Sequence, residues 1–180
     1  MESFTVLHDI YEGRPIAVLG GGPNLPGDLL HVPEDAILIS LNHHATYLRD
    51  CHYIAFVDTP DAHPELLKAT NDYIGRRITN VPGYSDYDMY GVQYWQGGGS
   101  GMFATWVASY MGGDPVLLCG INCFQSNPPH FHETEKIQIR KSGWHGRSVE
   151  YHISKWSRCF DRCPNPHRIK AVSGPLTKIF

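Results

Sequence analysis

Residues 15–24 read Pro15-Ile16-Ala17-Val18-Leu19-Gly20-Gly21-Gly22-Pro23-Asn24, a short apolar run that stops on three glycines. Consecutive apolar residues with no polar alternation leave no face for solvent, so the run reads as a strand buried on both sides, the habit of a parallel sheet. The same pattern recurs downstream. Ala36-Ile37-Leu38-Ile39-Ser40 runs into Leu41-Asn42-His43-His44, Tyr53-Ile54-Ala55-Phe56-Val57 stops at Asp58-Thr59-Pro60, and Pro115-Val116-Leu117-Leu118-Cys119 closes on Gly120. Between these strands, 64–70 reads as a helix. Residues 100–111 carry Phe103, Trp106, Val107 and Tyr110 at i, i+3, i+4 and i+7, the stripe of an amphipathic helix with Ser100 as its N-cap. Shorter strand candidates lie at 77–81 and 94–96, a further helix at 146–160 and a last strand at 168–172. Strands and helices in alternation predict an α/β fold, a Rossmann-like three-layer sandwich with a mostly parallel sheet.

The chain has 180 residues with no repeat or linker-like tract, so 1–180 is expected to form one nucleotide-binding domain of this type. The stretch 125–150 is polar and holds Pro128 and Pro129, the composition of a lid. Aromatics at 12% and charged residues at 18% provide enough apolar surface to offset ordering, which excludes a disordered chain. No apolar run approaches the roughly 18 residues of a membrane span, and the N-terminus lacks a basic-then-apolar leader, so a cytoplasmic protein is expected. A net charge of −3 without a Lys/Arg block argues against polymeric nucleic acid as partner. The five cysteines lack CxxC spacing and read as small core residues.

In a parallel sheet, ligands bind outside the C-terminal ends of the strands. That rule turns the strand list into a site list: Gly20 to Asn24, Asn42 with His43 and His44, Asp58, Gly120 with Asn122, and Gly97-Gly98-Gly99-Ser100 at a helix start. Glycine at such an edge has two readings. It makes tight turns, or it lets backbone N–H groups approach a phosphate or ribose, with a helix N-terminus adding partial positive charge. The first cluster lacks the GK[ST] ending of a P-loop and the GxGxxG of the dinucleotide fingerprint, and Gly99-Ser100-Gly101-Met102-Phe103 is no nucleophile elbow.

The series 16–25 (Ile-Ala-Val-Leu-Gly-Gly-Gly-Pro-Asn-Leu), Asn42, 52–60 ending in Asp58-Thr59-Pro60, Gly98-Gly99-Ser100, and Leu117-Leu118-Cys119-Gly120-Ile121-Asn122 resembles the 6-hydroxymethylpterin diphosphokinase-like family. That family's pattern runs GxGPSL, a strand ending in D-P, a GGS or TSG helix start and an apolar strand closing on G-x-D. The outline is also similar to bacterial CMP-sialic acid sialyltransferases, and it covers roughly residues 14–124. The resemblance implies that Gly20, Gly21, Gly22, Pro23 and Asn24 cradle a nucleotide and that Asn42 bonds its base or ribose. It further implies that Gly99 and Ser100 meet a phosphate, with Asn122 beside them, and that Asp58 holds Mg2+ or orients the acceptor. The nucleotide donor would be a CMP-sugar or ATP. Asn24 and Asn122 depart from the family's Ser and Asp; Asn122 keeps a carbonyl ligand but loses the charge, weakening a metal site there.

The sialyltransferase-like members use a histidine base after the G-I-D strand, a segment that here offers His130, His132, His145 and His152. His145, between Gly143-Trp144 and Gly146-Arg147, is the first choice as catalytic base, and His152 is expected on the helix beside Tyr151. A rival reading of the histidines is metal binding, with His130 and His132 at i, i+2 and Asn42-His43-His44 adding another ligand. Two functions follow. One is a transferase moving a diphosphate or glycosyl group from a nucleotide donor to a small hydroxyl acceptor; the other is a non-catalytic module that binds a nucleotide or nucleotide-derived signal. The aromatics of 84–90 line a cleft or a contact between copies in a homo-oligomer.

Overall fold

The computed structural model of the chain describes residues 1–89, 98–126, 130–132 and 146–179. The order of elements is β1 (Glu2–Ser3), β2 (Ile16–Leu19), α1 (Leu25–Asp28), β3 (Ile37–Leu41), β4 (Tyr53–Phe56), α2 (Pro64–Asp72), β5 (Arg76–Thr79), β6 (Tyr87–Asp88), α3 (Ser100–Tyr110), β7 (Val116–Cys119), α4 (Val149–Phe160) and β8 (Ile169–Ala171), with short 3-10 turns between them. Six strands form one sheet in the order β5-β4-β3-β2-β7-β8, and each pairing in it is parallel. β1 and β6, too short to be read from their residues, make a separate parallel pair. The fold is an α/β three-layer sandwich of Rossmann-like type.

The pattern of β2 explains the layers. Ile16 and Val18 join the core that includes Phe103, Val107 and Trp156, while Ala17 and Leu19 pack with Leu25, Ala36 and Leu117 on the opposite face. A central strand without a polar residue therefore serves two cores at once. From β2 the chain steps outward through β3, β4 and β5, then crosses back to lay β7 along the other side of β2. This reversal is the topological switch point, beside which ligands bind in open parallel sheets.

The helix at 100–111 departs from its expected character. It is buried nearly all round rather than amphipathic, with Met102, Phe103, Ala104, Thr105, Trp106, Val107 and Ala108 all out of solvent. Its outer side is covered by the 3-10 turn Phe4–Leu7 and by α4: Phe4 stacks on Trp106 at 5.9 Å and on Tyr110 at 5.1 Å between ring centroids. Full burial of Phe4 and Leu7 is worth about 1.5–3 kcal/mol each, enough to fix the N-terminal segment on the helix. Ser100 is also not the N-cap. That position is Gly99, and Ser100 is the first helical residue, its hydroxyl accepting from the Val57 backbone N–H at 3.2 Å.

The last helix starts at Val149 rather than 146, because Ser148 caps it by accepting from Tyr151 N–H at 3.2 Å. The strand expected at 94–96 and most of the stretch read as a lid lie outside the described residues. Among those described, no helix is long and apolar enough to cross a membrane.

Candidate functional site

A cavity of about 770 Å³ opens where β2, β3, β4 and β7 end. Gly20, Gly21, Gly22, Asn42, Asp58, Gly99, Ser100 and Asn122 all line it, so the sheet gathers most of the residues singled out in the sequence. Pro23 and Asn24 are not among its walls. Pro23 is exposed, and Asn24 turns its amide to Asp28 at 3.0 Å and Ser173 at 2.5 Å, tying the loop after β2 to the chain after β8.

The glycine loop after β2 is closely packed. Its Gly20 N–H donates to Cys119 O at 2.8 Å and its Gly22 N–H to Gly120 O at 2.7 Å, so two amides expected to cradle a phosphate are already bonded to protein. A Cβ on Gly20 would collide with the Gly120 carbonyl oxygen, and one on Gly22 would lie 2.7 Å from that same oxygen. Gly120 adopts φ +65°, a left-handed conformation that favours glycine, and its N–H is held by Asp28 Oδ2 at 2.8 Å. Backbone runs against backbone here, and only glycine permits the approach.

Imidazole rings fill the space above Gly21. A Cβ there would sit 2.6 Å from His130 and 2.7 Å from His44. These two rings stack at 4.0 Å between centroids, and the short segment bearing His130 and His132 is anchored when Phe131 N–H donates to Gly21 O at 2.8 Å. His44 Nδ1 lies 2.9 Å from His132 Nε2, and nitrogen atoms of His43, His44 and His132 all fall within 4.8 Å of one another. His43 Nε2 approaches Glu65 Oε2 at 3.1 Å. Burial and the neighbouring imidazoles of His130, His43 and His132 hold His44 well below the usual histidine range. Burial also lowers His43, opposed by Glu65 and aided by His132 and His130. Both rings are thus neutral at pH 7, with lone pairs available.

The opposite character holds where α3 begins. Among the described residues, a Cβ on Gly99 would meet nothing within 4 Å. Ser100, hydrogen-bonded by Val57 N–H, reaches Asp58 Oδ2 at 3.4 Å, and both side chains line the cavity beside the helix N-terminus. Eleven residues of α3 put partial positive charge at this end. Mg2+ takes oxygen ligands and usually only one or two carboxylates, and Asp58 with the Ser100 hydroxyl offers two oxygen donors of that kind.

Between these walls the backbone carries strain. Asn42, Cys123 and Phe124 have positive φ without being glycine, and Phe124 is an aromatic in that conformation. Asn122 supports the turn with both ends of its side chain, accepting from Phe124 N–H at 3.2 Å and donating to Ser126 at 2.5 Å. The position where the resembled family carries Asp thus has its amide occupied within its own loop. Asn42 Oδ1 is buried without a hydrogen-bond partner, and the Cys123 thiol is pushed up to about 11 by burial, far from a thiolate nucleophile.

His145, the expected base, lies outside the described residues. His152, expected to be a helix neighbour of Tyr151, is 1% exposed and lines the cavity from α4 together with Trp156. Glu65 and His63 were not singled out in the sequence, and only the Pro64 that starts α2 hinted that their turn borders the site. Comparison with protein-family models, with curated proteins and with solved structures finds no match for this chain.

Proposed function

We propose that the cavity binds a small phosphorylated ligand of the nucleotide class and that the protein transfers a group from it to a hydroxyl acceptor. The observation that carries this reading is that Gly99, Ser100 and Asp58 line the cavity together at the start of α3, beside the switch point of a parallel sheet. An anionic group is favoured at the helix N-terminus by unpaired amides and the macrodipole, and Asp58 would bring magnesium to its phosphates. The amides of Gly20 and Gly22 are not offered to the ligand in this reading, because Cys119 and Gly120 hold them; the loop shapes the floor of the crevice. A glycosyl or diphosphate donor would both fit, and the resemblance to the 6-hydroxymethylpterin diphosphokinase-like family is the reason for naming these two.

A second reading, a binding module without chemistry, is favoured by one observation. Asn122 spends its amide on Ser126 and Phe124, so a carboxylate that would share a metal with Asp58 is missing and its replacement is engaged elsewhere. Thermal-shift measurements with CMP, CTP, ATP and AMP, with and without Mg2+, test the shared premise: stabilisation by a nucleotide is expected, and none from all four sinks both readings. Incubation of the stabilising nucleotide with hydroxyl acceptors, followed by mass spectrometry, separates them. Product that vanishes in Asp58→Asn supports transfer, whereas nucleotide recovered intact supports the module.

A further inference from the structure

We propose that His43, His44 and His132 form a binding site for a divalent transition-metal ion of the zinc class, on a wall of the same cavity. This site is independent of the nucleotide reading and uses none of the residues that carry it. Nitrogen atoms of the three rings already lie within 4.8 Å of one another. Tetrahedral zinc with Zn–N bonds of about 2.0–2.1 Å needs its ligand nitrogens about 3.3 Å apart, so the ion fits with a shift of a few tenths of an ångström at the closest pair and of up to about 1.5 Å at the others. That pair, His44 Nδ1 and His132 Nε2 at 2.9 Å, is held by one shared proton between two imidazoles. With that proton moved to the other ring nitrogen of the imidazole that carries it, both rings stay neutral and an ion accepts a lone pair from each.

Local structure brings the rings together. Asn42 at φ +50° turns the chain as β3 ends, and the 3-10 turn His44–Tyr47 follows at once, leaving the rings of His43 and His44 only 4.4 Å apart between centroids. The third ring arrives from far along the sequence, fixed by the bond from Phe131 N–H to Gly21 O. Supporting contacts of the kind metal sites use are present. Glu65 meets His43 Nε2 at 3.1 Å, the carboxylate partner that orients a ligating imidazole, and His130 stacks on His44. Both ring nitrogens of His43 are buried without a hydrogen-bond partner, Nε2 having only the ion-pair contact with Glu65, so the ring offers an orphan that a bound ion would satisfy.

The donor chemistry selects the metal. Three neutral nitrogens suit Zn2+, Co2+ or Ni2+ and are poor ligands for Mg2+, which prefers oxygen. Three protein ligands also leave a fourth position for water or a substrate oxygen, the pattern of a reactive rather than a closed structural zinc. Since all three histidines line the cavity, that position belongs to the space a ligand would enter.

The test uses untagged full-length protein stripped with chelator, titrated with Zn2+ alone by calorimetry and with Co2+ alone by visible absorption. One equivalent bound, with the intense ligand-field bands of a four-coordinate cobalt, is expected; Mg2+ gives no heat. His132→Ala, in a surface segment, is expected to weaken Zn2+ by at least about 100-fold, beyond the 10–100-fold typical of losing a supporting group. His130→Ala should cost no more than about tenfold. Weak octahedral cobalt bands, undiminished binding in a folded His132→Ala, or equal losses in His130→Ala would each overturn the assignment. Should His132→Ala fail to fold, the wild-type cobalt spectrum decides alone. Because no nucleotide is added, failure here is separable from failure of the nucleotide reading.

Discussion

Two glycine clusters border one cavity, and they owe their glycines to different causes. At Gly20 to Gly22 the residues are small because backbone and imidazole rings press against them; at Gly99 no described residue beyond its chain neighbours comes within 4 Å of a Cβ. From the sequence both clusters read either as tight turns or as ligand cradles. Packing accounts for the first and, among the described residues, not for the second, and the difference can be attacked by putting a methyl group at each.

Gly20→Ala should produce the largest effect. Its Cβ would strike the Gly120 carbonyl oxygen and sit 3.0 Å from the carbonyl carbon, both backbone atoms of a neighbouring loop that cannot rotate aside. Overpacking costs about 1–3 kcal/mol where side chains can yield, so a loss of at least about 3 kcal/mol is expected, read as a fall in the urea midpoint at unchanged slope. A variant as stable as wild type would mean that the two loops can part. It would also reopen the glycine loop as a cradle.

Asp28→Ala attacks the same packed corner by another route. One carboxylate oxygen accepts from Gly120 N–H at 2.8 Å and from Asn24 Nδ2 at 3.0 Å, and Asp28 is only 4% exposed. Removing it leaves a buried amide unsatisfied, an expected loss of about 2–3 kcal/mol. Asp28→Asn keeps a carbonyl oxygen in place and should restore most of the stability. Equal losses in the two variants would show that the charge, rather than the acceptor, holds the corner.

Gly21→Ala comes next, because what it meets are rings rather than backbone. His44 and His130 would have to shift, and side chains give way more cheaply, so about 1–2 kcal/mol is expected. The informative readout is the Zn2+ affinity: displacing His44 from His132 should lower it by at least about tenfold. Loss of stability without loss of zinc would separate the stacking of the rings from the metal set.

The fold was largely visible before the structure because its cause is local. Ile16–Leu19 and Val116–Cys119 are apolar at each position and stop on glycine after only four residues, which reads as a short strand with two buried faces. The site was visible only in outline, since its cause is long-range. Adjacent His43 and His44 and the i, i+2 pair His130 and His132 stood out as ligand types, yet only the anchoring of Phe131 on Gly21 joins them. Burial of α3 was hidden for the same reason: the stripe of four residues is real, but Phe4 comes from the distant N-terminal segment to stack on Trp106 and Tyr110. Left-handed Cys123 and Phe124 leave no mark in residue type at all.

Gly99→Ala should have the smallest effect on stability and the clearest one on binding. Gly99 has φ −77° and ψ −177°, extended backbone that any residue adopts, and no described residue lies within 4 Å of a Cβ placed there. Folding free energy should therefore change by less than about 0.5 kcal/mol, the range of substitutions that disturb no packing. A methyl group there nonetheless enters the volume an anionic ligand would occupy against the start of α3. The nucleotide that best stabilises wild type should bind at least about tenfold more weakly, with zinc affinity untouched because His43, His44 and His132 form another wall. Undiminished nucleotide binding would shift the anion away from α3 and leave the glycine at 99 without a function, erasing the contrast between the two clusters.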